Sequence, residues 1–172
     1  RKYAFNRWKE IISDQINNNG SFKYELSRKD SLIYSTLALN GMVQTAEIAQ
    51  HNNVDLYNYK LSDGRGLERS LDFHVPYITN SSKWNFSQNA TYKGDNAAIY
   101  ELAYAFKQKP SYWKVIEKWK RPMYENKVLA SITLTHGIEM VSEDPIIMMT
   151  ITAPNGGENW TRGVIYTIGW RP

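Results

Sequence analysis

The sequence predicts a mainly α-helical fold with a short C-terminal β segment, and three observations carry that reading. Phe5, Trp8, Ile11, Ile12 and Ile16 recur at helical spacing over residues 3–17, with Lys and Glu between them. Residues 29–51 place apolar side chains around most of a helical circumference, from Leu32 and Ile33 to Ile48 and Ala49, the pattern of a buried helix. Beyond Pro122 the pattern changes to short runs rich in Ile, Met and Thr, over 129–134, 146–152 and 165–170, which read as strands.

Taken in order, the first helix stops at Asn17-Asn18-Asn19-Gly20, a strong breaker. Ser27 with Asp30 resembles a capping box for the second helix, with Asp in place of the usual Glu, and Asn52-Asn53 ends it. A polar loop follows to Gly66; its Asp63-Gly64-Arg65-Gly66 is a turn and not a phosphate loop. A third helix is expected over 67–74, closing at Pro76. Residues 79–94 are rich in Asn, Ser and Thr, with Trp84, Phe86 and Tyr92 among them, and form a long loop of the kind that often carries function. Asp95 suits the N-cap of a fourth helix over 96–107, and Pro110-Ser111 opens a fifth over 112–120. The switch from helices to strands places a boundary within 136–150. The expected organisation is a helical domain over 1–140, a linker over 141–150 and a β module over 151–172.

Composition narrows the function classes. A chain of 172 residues with 42% hydrophobic content suits one domain, or one domain and part of another. A net charge of +4 fits a polyanionic partner without demanding one. The densest basic stretch, 114–121, reads as the solvated face of a helix, and no nucleic-acid motif accompanies it, so nucleic acid is not an expected partner. The absence of Cys excludes disulfides and thiolate chemistry. No apolar run approaches the roughly 18 residues of a membrane span. The 3 His residues stand apart in sequence without ligand spacing, so no metal or other cofactor is expected.

The chemistry concentrates in Gly20-Ser21, Glu25-Leu26-Ser27-Arg28 and Ser31-Leu32-Ile33-Tyr34-Ser35. Glu25 and Arg28 sit at the mouth of the buried helix, and Tyr34 lies one to two turns inside it. A phenol there needs a partner or a cavity, so Tyr34 reads as a hydrogen-bonded core residue or as a chemical group. Six residues along a continuous helix turn about 600°, which leaves Arg28 and Tyr34 about 120° apart. Arg28 therefore serves a site at Tyr34 only from at or before the helix start; otherwise it is an ion-pair partner for Glu25 or Asp30.

This segment resembles the signature of the alginate lyase family: a Gly-Ser turn, Glu-Leu-x-Arg, then Ser-Leu-x-Tyr-Ser. Further blocks follow in order. Ala46-Glu47-Ile48-Ala49 resembles the end of the family's inner helix, and Val54-Asp55-Leu56-Tyr57-Asn58-Tyr59 its Val-Asp-Leu-Trp-x-Tyr. Asp63-Gly64-Arg65-Gly66-Leu67, Asp72-Phe73-His74-Val75-Pro76-Tyr77 and Tyr100-Glu101-Leu102-Ala103 are similar to later blocks, so the likeness covers about residues 4–120. It implies a fragment of an (α/α) toroid, the C-terminal part of the domain, with a substrate groove across one end. It also implies a secreted or periplasmic polysaccharide lyase that cleaves 4-linked uronic-acid polymers, alginate first, by β-elimination. Tyr34 matches the acid, which in some members is also the base, and Arg28 the accompanying cation. Glu25, Tyr77 and Trp84 are the expected substrate-binding residues, and the anionic polysaccharide is the expected partner.

One departure stands out. The family's Asn-Asn-His motif is not found, so the N-terminal part of the domain is expected to be missing and the chain alone to be inactive. The block from Ile151 to Trp160, with Pro154-Asn155-Gly156-Gly157-Glu158, and Thr167-Ile168-Gly169-Trp170 resemble the opening strands of a small β-sandwich module, too short here to close. The competing functions are a lyase for another polyuronate, such as glucuronan or a glycosaminoglycan, and a non-catalytic carbohydrate-binding helical scaffold. The sequence leaves oligomeric state open.

Overall fold

The structure, a computed structural model, describes residues 2–125, 130–140, 150–153 and 169–171. The chain divides into two compact units, Arg1–Met140 and Val141–Pro172. The first is helical: α1 Lys2–Gln15, α2 Ser31–Gln50, α3 Leu67–Thr79, α4 Ile99–Lys107, α5 Pro110–Trp119 and α6 Ile132–His136, with a 3₁₀ turn at Ser81–Lys83. Helix α2 packs against α1, α3 and α4, while α5 joins α3 to α4.

The apolar pattern of α2 underlies that central position, but burial covers about half of the circumference and not all of it. Leu32, Leu39, Val43 and Ala46 are fully buried on one face, while Ile48, expected to be buried, is exposed. Helix α1 docks on it through Phe5, Trp8 and Ile12, the three- and four-residue spacing of one helical face. The indole N–H of Trp8 donates to the Met42 carbonyl at 3.1 Å. At the turn after α1, Gly20 has φ +96°, and a Cβ there would fall 2.4 Å from the Arg69 carbonyl oxygen, so only glycine fits. Arg65, in the expected Asp-Gly-Arg-Gly turn, donates to the Ser13 and Ile16 carbonyls at 2.9 Å and so satisfies the end of α1.

The capping box expected at α2 does not form. The Ser27 hydroxyl donates to the Tyr24 carbonyl, and Asp30 makes no side-chain cap on its own helix. The long loop supplies the partners instead. Ser31 N–H donates to the Ser87 carbonyl at 2.9 Å, and Leu32 N–H to the Gln88 side-chain oxygen at 2.9 Å. In return the Asp30 carboxylate accepts the N–H groups of Asn89 and Ala90 at 3.1 and 2.7 Å. The orphan donors of a buried helix end are thus satisfied by a segment more than fifty residues away in sequence (|i−j| of 56).

Three other boundaries differ from expectation. Helix α3 passes through Pro76 to Thr79, because Pro76 sits in the last turn, where the Thr79 hydroxyl and Asn80 N–H bind the carbonyls of Val75 and Pro76. Helix α4 begins at Ile99: Asp95 turns back to accept Lys93 N–H at 3.2 Å, and residues 95–98 form a turn. The strand expected over 129–134 is replaced from Ile132 onward by α6, after the antiparallel pair β1 Tyr124–Glu125 and β2 Ala130–Ser131. There Ile132 is fully buried, and the Thr133 hydroxyl donates to Glu101 and accepts Met123 N–H, both at 2.7 Å. Those tertiary bonds outweigh the β preference of Ile and Thr. Of the basic stretch, Lys114, Lys118 and Lys120 are exposed as expected. Arg121 instead turns inward to bind Glu101.

In the second unit, β3 Thr150–Ala153 pairs antiparallel with β4 Gly169–Arg171, Thr150 facing Arg171 and Ile151 facing Trp170. The remaining residues of the strands expected over 146–152 and 165–170, nearly all of the linker, and the Pro-Asn-Gly-Gly-Glu block lie outside the described residues. Among the described residues no helix is long and apolar enough to cross a membrane.

His74 on α3 gives the fold a pH dependence. Its Nδ1 lies 2.7 Å from the Ser70 carbonyl, which only accepts, so Nδ1 carries the proton. Nε2 has no partner among the described residues. Burial lowers the imidazole pKa from 6.5 to about 4, against the opposing Ser70 bond. Between those values the unfolded chain binds a proton that the native chain does not. His74 therefore leaves stability intact above about pH 6.5 and removes roughly 3 kcal/mol as pH falls toward 4. Urea midpoints between pH 7.5 and 4.5 should decline less steeply in His74→Gln than in the parent; equal slopes would show that His74 contributes nothing.

Candidate active site

Residues 23–29 form turns that precede α2, so Arg28 lies outside the helix and the 120° separation does not apply. Its guanidinium carbon sits 4.0 Å from the centroid of the Tyr34 ring. Neither rival ion pair forms among the described residues: Asp30 is engaged by the long loop, and Glu25 contributes its carbonyl, not its carboxylate, to Arg28 N–H at 3.0 Å. Tyr34 is half-buried, and its hydroxyl has no hydrogen-bond partner among the described residues. The hydrogen-bonded core tyrosine is therefore not what the structure contains. A cation thus stacks on the ring of a phenol whose hydroxyl is left for solvent or a ligand.

Of the other expected site residues, Glu25 is half-buried in the turn before α2, and Tyr77 is half-buried on α3. Trp84 lies in an aromatic cluster. It is only 8% exposed, held among Phe73, His74, Tyr77 and Phe86 at centroid distances of 4.9 to 6.2 Å. Its indole N–H donates to the Ser31 hydroxyl at 2.8 Å, which in turn donates to the Ser87 carbonyl at 2.6 Å. Trp84 thus ties the long loop to the start of α2.

A cleft of about 420 Å³ opens on the Ile33 and Leu37 side of α2, with Lys93, Lys120, Trp119 and Tyr124 in its wall. Tyr34, Arg28, Glu25 and Tyr77 do not line it. The histidines are less isolated than their spacing suggests, since His51 and His136 both reach the Glu47 carboxylate, at 3.0 and 3.2 Å. Glu47 and His51 stand at i and i+4 on one helix, a spacing visible in the sequence; His136 arrives from α6.

The comparisons follow this geometry. The family model for alginate lyase matches residues 1–84. An alginate lyase from Bacteroides ovatus, whose crystal structure is at 1.60 Å resolution, is similar in fold, with a TM-score of 0.60 and 26% sequence identity over 70% of this chain. The match takes in 34% of that structure, so the chain spans about a third of its length. No curated protein matches the sequence. The helical architecture is consistent with a fragment of an (α/α) toroid. Residues 1–84 are thus similar to the alginate lyase family, and the likeness in fold to an alginate lyase extends over 70% of the chain.

Proposed function

We propose that this chain forms part of a polysaccharide lyase acting on 4-linked uronic-acid polymers, alginate first, with Tyr34 as the acid of the β-elimination. The observation that carries the reading is the placement of the Arg28 guanidinium against the ring of a Tyr34 whose hydroxyl is unengaged among the described residues. In this reaction a base removes the C5 proton, the C4–O4 bond breaks, a C4=C5 double bond forms, and an acid protonates the departing O4. Negative charge develops on the uronate carboxylate as C5 loses its proton, and a nearby cation stabilises it. Arg28 supplies that cation, Tyr34 protonates O4, and in one variant of the scheme the same phenolate first takes the C5 proton. Glu25 and Tyr77 flank the sugar as binding groups. A secreted or periplasmic location fits a polymeric substrate, and the β segment is read as the opening of a β-sandwich module.

The test follows the 4,5-unsaturated product by its near-ultraviolet absorbance. The complete enzyme carrying this chain should generate it from alginate. Arg28→Ala should lower the rate by roughly 10²–10³-fold, the usual effect of removing one such stabilising group. The 172-residue chain by itself, without an Asn-Asn-His element, should release little or none. Binding of alginate by the complete protein with no absorbing product would overturn the enzyme reading in favour of the carbohydrate-binding scaffold.

A further inference from the structure

We infer that Glu47, His51 and His136 form a binding site for one borderline divalent metal ion of the Zn²⁺ class, and that the ion staples α6 to the end of α2. Their ligand atoms all lie within 4.8 Å of one another. The Glu47 Oε1 to His51 Nε2 distance is 3.0 Å, and Glu47 Oε1 to His136 Nε2 is 3.2 Å. A tetrahedral Zn²⁺ with bonds of about 2.0–2.1 Å sets neighbouring ligand atoms roughly 3.3 Å apart, so the ion enters with small adjustments. A carboxylate oxygen and two imidazoles are a donor set for this class and leave one coordination position for water.

The surroundings fit the same purpose. Tyr57 hydroxyl donates to Glu47 Oε2 at 3.1 Å, which leaves Oε1 to face the histidines. The Thr135 hydroxyl donates to the Ile132 carbonyl at 3.1 Å, so toward His136 Nδ1, 2.8 Å away, it acts as acceptor. His136 thereby carries its proton on Nδ1 and aims the Nε2 lone pair at a carboxylate oxygen. Two acceptors facing each other call for a positive centre, which a metal ion or a proton on Nε2 supplies, and the zinc titration below separates the two. A hydrogen-bonded partner that fixes the ligating nitrogen is a common outer shell of metal-bound histidine. The site also stands at the C-terminal end of α2, where the helix dipole favours a cation. Thirteen residues of α2 separate Glu47 from Tyr34, roughly 20 Å of helix. The ion is therefore structural, and its presence does not depend on the lyase reading.

The test uses the 172-residue chain after chelator treatment, titrated with ZnCl₂ by calorimetry and by thermal melting. One equivalent should bind and raise the Tm, and MgCl₂ should do neither. His51→Ala, at a 74% exposed side chain that the fold does not need, should abolish the shift, as should His136→Ala. Tyr57→Phe should keep the fold and weaken binding by roughly 10–100-fold, as loss of an outer-shell hydrogen bond does. No binding at millimolar Zn²⁺, or a shift retained by either histidine variant, would overturn the site and leave a hydrogen-bonded cluster.

Discussion

Tyr34→Phe in the complete enzyme is expected to fold normally and to lower kcat on alginate by roughly 10²–10⁴-fold, the usual contribution of general acid–base catalysis. The substitution removes one hydroxyl that has no partner among the described residues. Its stability cost should therefore stay below the roughly 1 kcal/mol of an ordinary hydrogen bond. The ring remains, so the Arg28 guanidinium keeps its seat at the ring face and substrate binding should change little. The expected pattern is a fall in kcat with KM nearly unchanged and Tm within a degree or two of the parent. If Tyr34 were a packing residue the pattern would invert, with Tm falling and turnover per folded molecule holding. A folded variant with near-normal turnover removes Tyr34 from the mechanism.

Glu101→Ala should destabilise the helical unit by roughly 3–5 kcal/mol. Glu101 is a fully buried carboxylate on α4. Both its oxygens accept from Arg121 at 2.8 Å, and Oε1 accepts the Thr133 hydroxyl at 2.7 Å. Arg121 continues the network to the Ile138 carbonyl at 2.6 Å and lies 4.9 Å over the Trp113 ring. Removing the carboxylate strands a partly buried guanidinium and releases α6 together. For a chain of this length the loss corresponds to a Tm decrease of roughly 10 °C. The double variant Glu101→Leu/Arg121→Met should recover most of it, because an apolar pair carries no uncompensated charge. A loss under 1 kcal/mol in Glu101→Ala would mean that the network is already open in solution.

The parts of this molecule that were legible in the sequence are those decided by local pattern. The apolar run of α2 and the breaker at Asn17-Asn18-Asn19-Gly20 needed no distant partner to be read, although the run overstated how much of α2 is buried, since Ile48 is exposed. Ser27 and Asp30 misled because a capping box is a local motif, while the true caps at Ser87 and Gln88 come from residues that no spacing rule connects to α2. Asp95 misled in the same way, being a good cap by type that is engaged by its own turn. Ile132-Thr133-Leu134-Thr135 has strand composition, but Thr133 answers to a buried carboxylate on another helix. At the site, the order of blocks marked Arg28 and Tyr34. Whether they meet depended on where α2 begins, a boundary that the sequence left open by two residues. Trp84 was singled out for its ring face; its indole N–H bond to Ser31, across 53 residues, no spacing rule could show. Glu47 and His51 carried a visible i, i+4 signal; their third partner lies 89 residues from Glu47 along the chain.

The reciprocal bonding between Asp30–Leu32 and 87–90 ties the beginning of α2 to the survival of an exposed, Ser- and Asn-rich stretch of chain. Breathing of that stretch uncouples the Ser31 and Leu32 amides, the Asp30 carboxylate and the Trp84 anchor in one event. These amides should then exchange with solvent deuterium at a common rate, set by a sub-global opening cheaper than complete unfolding, while amides near Val43 wait for the whole unit to open. A protease that nicks the chain near Ser87 would free the start of α2 while leaving most of the helices standing.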